Sequence, residues 1–137
     1  MKINIRILIL SSFVVTLLLV MFFRSCTSPP KKGELVYQQK CASCHGVNGE
    51  GFRNLIPPLT DSNYLINHKD DFACTIAYGL KKPIIVNGVE FDQPMEGIVE
   101  LNAIEIANVG NYVYERWGNN SKKFTPNEVE NRIANCE

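Results

Sequence analysis

Histidine and methionine are scarce in this chain, at two and three among 137 residues, and there is a single tryptophan. His68 therefore has no partner histidine at a metal-binding spacing, and each of His45, His68 and Met95 becomes individually informative. Net charge is also lacking, because fourteen basic residues balance fourteen acidic ones. Three of the basic residues, Lys2, Arg6 and Arg24, lie within the first 25 positions, so the rest of the chain holds eleven against fourteen. A mildly acidic body excludes nucleic acid as a partner held by attraction to phosphate. No internal repeat is present, and no pair of strand-like runs is strong enough for a sheet to dominate. What remains is a mostly α domain.

One long apolar run is present, Ile7 to Phe23, preceded by Lys2 and Arg6 and followed by Arg24. It reads either as the apolar part of an export signal or as a short membrane anchor near the lower length limit for spanning. Cys26 follows at once, where the acylated cysteine of a bacterial lipoprotein would stand, although Arg24 is not the small residue such a site favours. Both routes place the domain on the periplasmic side of the cell envelope, tethered to a membrane by lipid on Cys26 or by the N-terminal helix. Residues 1–25 are then a signal peptide or anchor, 26–32 a polar, proline-rich linker, and 33–137 one folding unit of roughly a hundred residues. A unit that small gains stability from a large apolar cofactor or a covalent staple. All five cysteines lie beyond the apolar run, which suits an oxidising compartment.

Within the folding unit, a helix is expected from Gly33 or Glu34 to Lys40, with Leu35, Val36 and Tyr37 on its apolar side. Glycines 46, 49 and 51 and the Pro57-Pro58 pair make the next stretch a loop. Asp61 or Ser62 can cap a short turn through Leu65, and Asp70 or Asp71 can open a helix that Gly79 ends. Residues 81–97 read as irregular, with Asn87-Gly88 able to turn a small hairpin. The strongest helix is last: Asn102 and Glu105 form a capping-box pattern, Ile106, Val109, Val113 and Trp117 share a stripe, and Gly118 stops it. Thr125-Pro126 with Glu128 opens a shorter helix towards Cys136.

The chemistry is concentrated in Cys41-Ala42-Ser43-Cys44-His45, a C-x-x-C-H sequence and the attachment signature of c-type haem. Two thiols three positions apart on a helical turn can each add to one haem vinyl group. The next residue, His45, is then held beneath the iron as a ligand. A structural zinc site would need two further ligands in a second knuckle, whereas Cys74 and Cys136 stand alone. A thioredoxin-like pair would need a βαβ context, which the pattern lacks. An electron-transfer haem also needs a second axial ligand. Of the three methionines only Met95 lies outside the apolar N-terminus, in a proline-flanked loop fifty residues after His45. The alternatives are that Met95 fills a gap in the core, or that His68, beside Asn67 and Lys69, is the ligand instead of a solvated loop residue.

These residues resemble the small bacterial class I, monohaem cytochrome c family. The resemblance covers about Gly33 to Asn119 and rests on Gly33, Tyr37, the Cys41–Gly46 motif, Pro57-Pro58-Leu59, Pro94-Met95 and the final Trp117-Gly118-Asn119. It implies a mostly α fold, helices wrapped around one covalently attached haem c, with Gly33 and Tyr37 crossing the last long helix near Val109 and Tyr112. It also implies Met95 as distal ligand, although in this chain Pro94 precedes the methionine and Glu96 follows it. The Pro57 carbonyl would orient His45, unless the two prolines only stiffen their loop.

Beyond the haem pair, Cys26, Cys74 and Cys136 suggest one disulfide, Cys74–Cys136, plus one special thiol, against two unpaired thiols. The expected role is a one-electron carrier without a catalytic residue, serving redox partner proteins of an electron-transport chain. Glu90, Asp92, Glu96 and Glu100 surround Met95 and offer an acidic docking rim for basic partners. The alternatives are a haem enzyme or gas sensor with an open sixth iron position, and a subunit of a larger oxidase, reductase or dehydrogenase.

Overall fold

A computed structural model describes residues 5–23, 31–118 and 123–136 of the chain. The N-terminal helix α1, Ile5–Phe23, carries the apolar run. Several of its side chains are outside the described set, and among the described residues no helix is long and apolar enough to cross a membrane. Cys26 and most of the expected linker lie outside the described residues as well.

The remaining helices are α2 (Lys32–Lys40), α3 (Ala42–His45), α4 (Asn63–Asn67), α5 (Phe72–Tyr78), α6 (Ala103–Arg116) and α7 (Pro126–Ile133). A 3-10 turn, Lys69–Asp71, leads into α5. The caps follow the sequence logic. Ser62 accepts the Leu65 N–H at the start of α4, and both Asn102/Glu105 and Thr125/Glu128 close reciprocal capping boxes. Gly118 stands where the helix stop is expected, directly after the Trp117 cap. It follows α6 without a left-handed backbone, and its lack of a side chain instead admits the Tyr114 ring, 2.7 Å from where a Cβ would sit.

Two small antiparallel ladders complete the fold. Strand β2 (Ile84–Val86) pairs with β3 (Val89–Phe91) across Asn87-Gly88, both with positive φ as a type I′ turn requires. Strand β1 (Gly79–Leu80) pairs with β4 (Met95–Glu96), with Leu80 opposite Met95. The sequence holds no signal for this second pairing, because two-residue strands carry no readable period.

The core forms where α2 crosses α6. Gly33 is buried there, and a methyl group in its place would run into the Asn108 carbonyl oxygen and lie 2.9 Å from Tyr112 Cβ. One turn on, Tyr37 is fully buried, its ring 5.5 Å from Tyr112 and 5.0 Å from Trp117. Ile106, Val109 and Val113 supply the facing stripe of α6. Leu35 corrects the expected apolar side of α2. It is 45% exposed, because Gly33 and Tyr37 already define the buried face, four residues apart. Behind α5 and α6, α7 buries Val129 and is joined to α5 by a Cys74–Cys136 disulfide that closes 62 residues.

The crossing gives a direct test. Gly33→Ala should lower the unfolding free energy by about 1–3 kcal/mol through overpacking, whereas Leu35→Ala should change it by less than about 0.5 kcal/mol. Denaturant unfolding of the two variants measures the difference.

Candidate functional site

A single turn of helix organises the C-x-x-C-H segment. Cys44 and His45 donate their amides to the Cys41 carbonyl at 3.1 and 2.9 Å, and Gly46 donates to Ala42 at 3.0 Å. The Tyr37 hydroxyl donates to the Gly46 carbonyl at 2.7 Å, tying the turn to the α2–α6 crossing. That bond has no signal in the sequence beyond the aromatic itself. Cys41 is buried at the base of the turn and Cys44 is exposed on it, and neither is in a disulfide. Burial, reinforced by the neighbouring Cys44, pushes the Cys41 thiol up to about 11.

His45 is held by the loop that follows. Its Nδ1 lies 3.1 Å from the Pro57 carbonyl oxygen, which can only accept, so Nδ1 carries the proton and Nε2 keeps a free electron pair. Burial lowers the His45 pKa, with the Pro57 bond opposing it, so the ring is neutral at pH 7. The loop can return to this position because Gly51 lies against it with φ +69. A Cβ there would meet the Ile56 carbonyl and sit 2.8 Å from the Pro57 carbonyl carbon. Gly51 also donates its amide to the His45 carbonyl at 2.8 Å.

Across the fold, Met95 stands half-buried on β4. Cys41, Cys44, His45, Pro57 and Met95 all line one cavity of about 740 Å³, within the range of about 300–1,000 Å³ typical of cofactor sites. Apolar side chains from the elements around it fill the wall, including Phe72, Ile76, Val86, Phe91, Val109 and Val113. The donor set and the wall therefore suit a large, mostly apolar group that carries a metal: two thiols, an imidazole and a thioether share one apolar-walled cavity.

His68 also reaches this cavity, on the exposed end of α4. Its Nδ1 donates to the Tyr64 carbonyl at 3.0 Å and its ring stacks on Tyr64 at 3.9 Å. Cys74, one of the residues weighed for a zinc site, is committed to its disulfide. Among the described residues no group of three His, Cys, Asp or Glu side chains is arranged to hold a metal. Of the expected acidic rim, Glu90, Asp92 and Glu96 are exposed, but Glu100 pairs with Lys40 at 2.7 Å, and that hydrogen bond holds its carboxyl below the usual range. The pair bridges the end of α2 to the segment after Met95 at the cavity mouth. Sixty residues separate its members, so no local pattern announces it.

Gly51→Ala isolates the histidine's support. It should displace the Pro57 carbonyl, and metal affinity at a histidine deprived of such a partner falls by roughly 10–100-fold. In haem-loaded protein, where the thioether bonds keep the group on the chain, the measurement is the spectral transition in which acid displaces the histidine from the iron; it should come about 1–2 pH units higher in the variant than in the parent chain.

Residues 30–117 match the family described as "Cytochrome c". The chain is 33% identical over 107 residues to a cytochrome c-552 of Thermus thermophilus, covering 72% of this chain and 81% of the relative. A second Thermus thermophilus cytochrome c-552 matches at the same identity and covers 72% of both chains. With a helical fold wrapped around a cavity that the C-x-x-C-H turn opens into, the chain belongs to the cytochrome c family of haem-based electron carriers.

Proposed function

We propose that this chain carries one haem c, bonded through Cys41 and Cys44 and ligated by His45 and Met95, and that it passes single electrons between respiratory partners while tethered in the cell envelope. The observation that carries the reading is the convergence of those four residues on one apolar cavity. Bound haem would supply a reversible ferric–ferrous couple.

The chain's own residues set the conditions for that couple. Pro57 fixes the tautomer of His45, leaving the Nε2 electron pair free for a metal. A thioether opposite an imidazole favours the ferrous state and raises the potential above that of a bis-histidine site. The apolar wall keeps water from the metal, which also favours the less charged state. Cys44 stands at the exposed side of the cavity, where a partner can approach.

Tethering is supported by the apolar run from Ile7 to Phe23 in the sequence and by Cys26 three residues beyond it. Lipid on Cys26 and an intact N-terminal helix are the two routes, and the mass of the mature protein distinguishes them. Partners with basic docking patches suit the exposed carboxylates Glu90, Asp92 and Glu96.

A redox titration followed by absorption spectroscopy tests the reading. The parent protein should titrate as one single-electron centre with a low-spin ferric spectrum and the weak red band of thioether ligation. Met95→Ala should lose that band and become high-spin, with a lower potential. A parent spectrum that is already high-spin, or that is unchanged in Met95→Ala, would refute the carrier with His/Met ligation and favour an open sixth position.

A further inference from the structure

The segment beyond Trp117 lies outside the family match and yet is fastened more heavily than a passive tail requires. Phe124 and Asn111 exchange two hydrogen bonds, at 2.8 and 2.9 Å. Val129 is 1% exposed. Two further attachments converge on a single short helix: the Cys74–Cys136 disulfide and the Tyr78 hydroxyl, which donates to the Ile133 carbonyl at 3.3 Å. Both Cys74 and Tyr78 belong to α5.

The C-terminal half of the same helix leads to Met95. Ile76 lines the cavity, and its carbonyl accepts the Ile98 amide at 2.8 Å. The chain leaves α5 directly into β1, whose Leu80 is paired with Met95. Gly97 packs so closely on the Ala77–Tyr78 backbone that a Cβ would sit 2.8 Å from the Tyr78 carbonyl carbon. The backbone around Met95 is thus laid against α5 from Ile76 to Leu80, and α5 is pinned from behind by α7.

We infer that the C-terminal segment is a positioning element for Met95, with Cys74, Cys136 and Tyr78 acting through α5 to hold the thioether at the iron. The inference rests on Met95 being the distal ligand proposed above. His45 is already held by the Pro57, Gly51 and Tyr37 hydrogen bonds around its turn, whereas a side chain on a two-residue ladder moves whenever its ladder partner moves. Fixing α5 raises the free energy of the local opening through which the thioether would leave.

The test uses the haem-loaded full chain with Cys74→Ser and Cys136→Ser combined. Added imidazole should displace the ligand from ferric protein roughly tenfold faster than in the parent, and the Ile98 amide should exchange with deuterium faster by a similar factor. Tyr114→Phe, which removes a buried hydroxyl bond to the Leu65 carbonyl and keeps the ring, is compared in denaturant at the same remaining unfolding free energy; it supplies the control for general destabilisation and should leave both rates at parent values. If the serine variant is no faster than this control, the segment is only a staple and the inference fails. Where the double variant does not accumulate with haem, Tyr78→Phe removes the hydroxyl bond alone and should accelerate both rates about two- to threefold; unchanged rates there overturn the inference too. A parent spectrum unaffected by Met95→Ala would instead refute the ligand assignment. The Ile98 amide still reports, in that event, whether the segment restrains this backbone.

Discussion

The crossing of α2 over α6 is the constraint from which the rest of the site is built. Gly33 lets the two backbones approach until Asn108 and Tyr112 fill the position a side chain would take. That proximity drops Tyr37 between Tyr112 and Trp117, fully removed from water. A buried phenol must find a hydrogen-bond acceptor. The one Tyr37 finds is the Gly46 carbonyl, directly after His45. Desolvation accordingly pushes the Tyr37 hydroxyl far above its ordinary range, so it stays a donor at any physiological pH. A backbone contact between two helices thereby becomes the orientation of an imidazole.

From the other direction, the loop of residues 46–59 reaches the same histidine. It contributes the Pro57 oxygen to Nδ1 and returns the Gly51 amide to the His45 carbonyl. His45 is thus restrained at its ring, at its own carbonyl and, through Gly46, at the following peptide. The Cys41–His45 turn has no hydrophobic face of its own and is only four residues long past Cys41. Its conformation is imposed from outside, as expected of an isolated turn too short to nucleate itself.

Much of this is legible in the sequence because the signals are local. A C-x-x-C-H turn, a capping box and an Asn-Gly hairpin are each written within five residues, and each stands where the pattern places it. Met95 can be singled out because the other two methionines are N-terminal, not because anything local marks it. What stays hidden is long-range. The Leu80–Met95 ladder, the Lys40–Glu100 bridge and the Phe124–Asn111 exchange join residues 13 to 60 positions apart that have no shared periodicity. Leu35 misleads for a related reason. Hydrophobicity alone suggests three adjacent residues on one side of α2, but adjacent positions on a helix diverge by about 100°, and the glycine at 33 already fixes the face. The disulfide lies between these cases, since the count of cysteines suggests a pair but only the packing of α7 on α5 brings Cys74 and Cys136 together.

The two sides of the cavity are held by different means, and that asymmetry bears on how such a carrier can be tuned. On the histidine side, three hydrogen bonds and a tight helix crossing converge within a few residues, so a substitution there disturbs attachment, ligation and core packing together. On the methionine side, Met95 is carried by a two-residue ladder and a single further amide from Ile98, all resting on one seven-residue helix. Under the proposed ligation, the potential and the rate of ligand exchange are therefore most readily altered through α5 and whatever braces it. The family match ends at Trp117, one residue beyond α6, and this chain continues past it into a helix whose attachments fall on α5. An extension that only added stability could have been fastened to any face of α6. In this chain helix α7 contacts α6, but the segment makes its covalent bond, and the hydroxyl bond near its end, to the helix against which the Met95 backbone is laid. That placement follows the softer side of the site, where added rigidity changes the chemistry most.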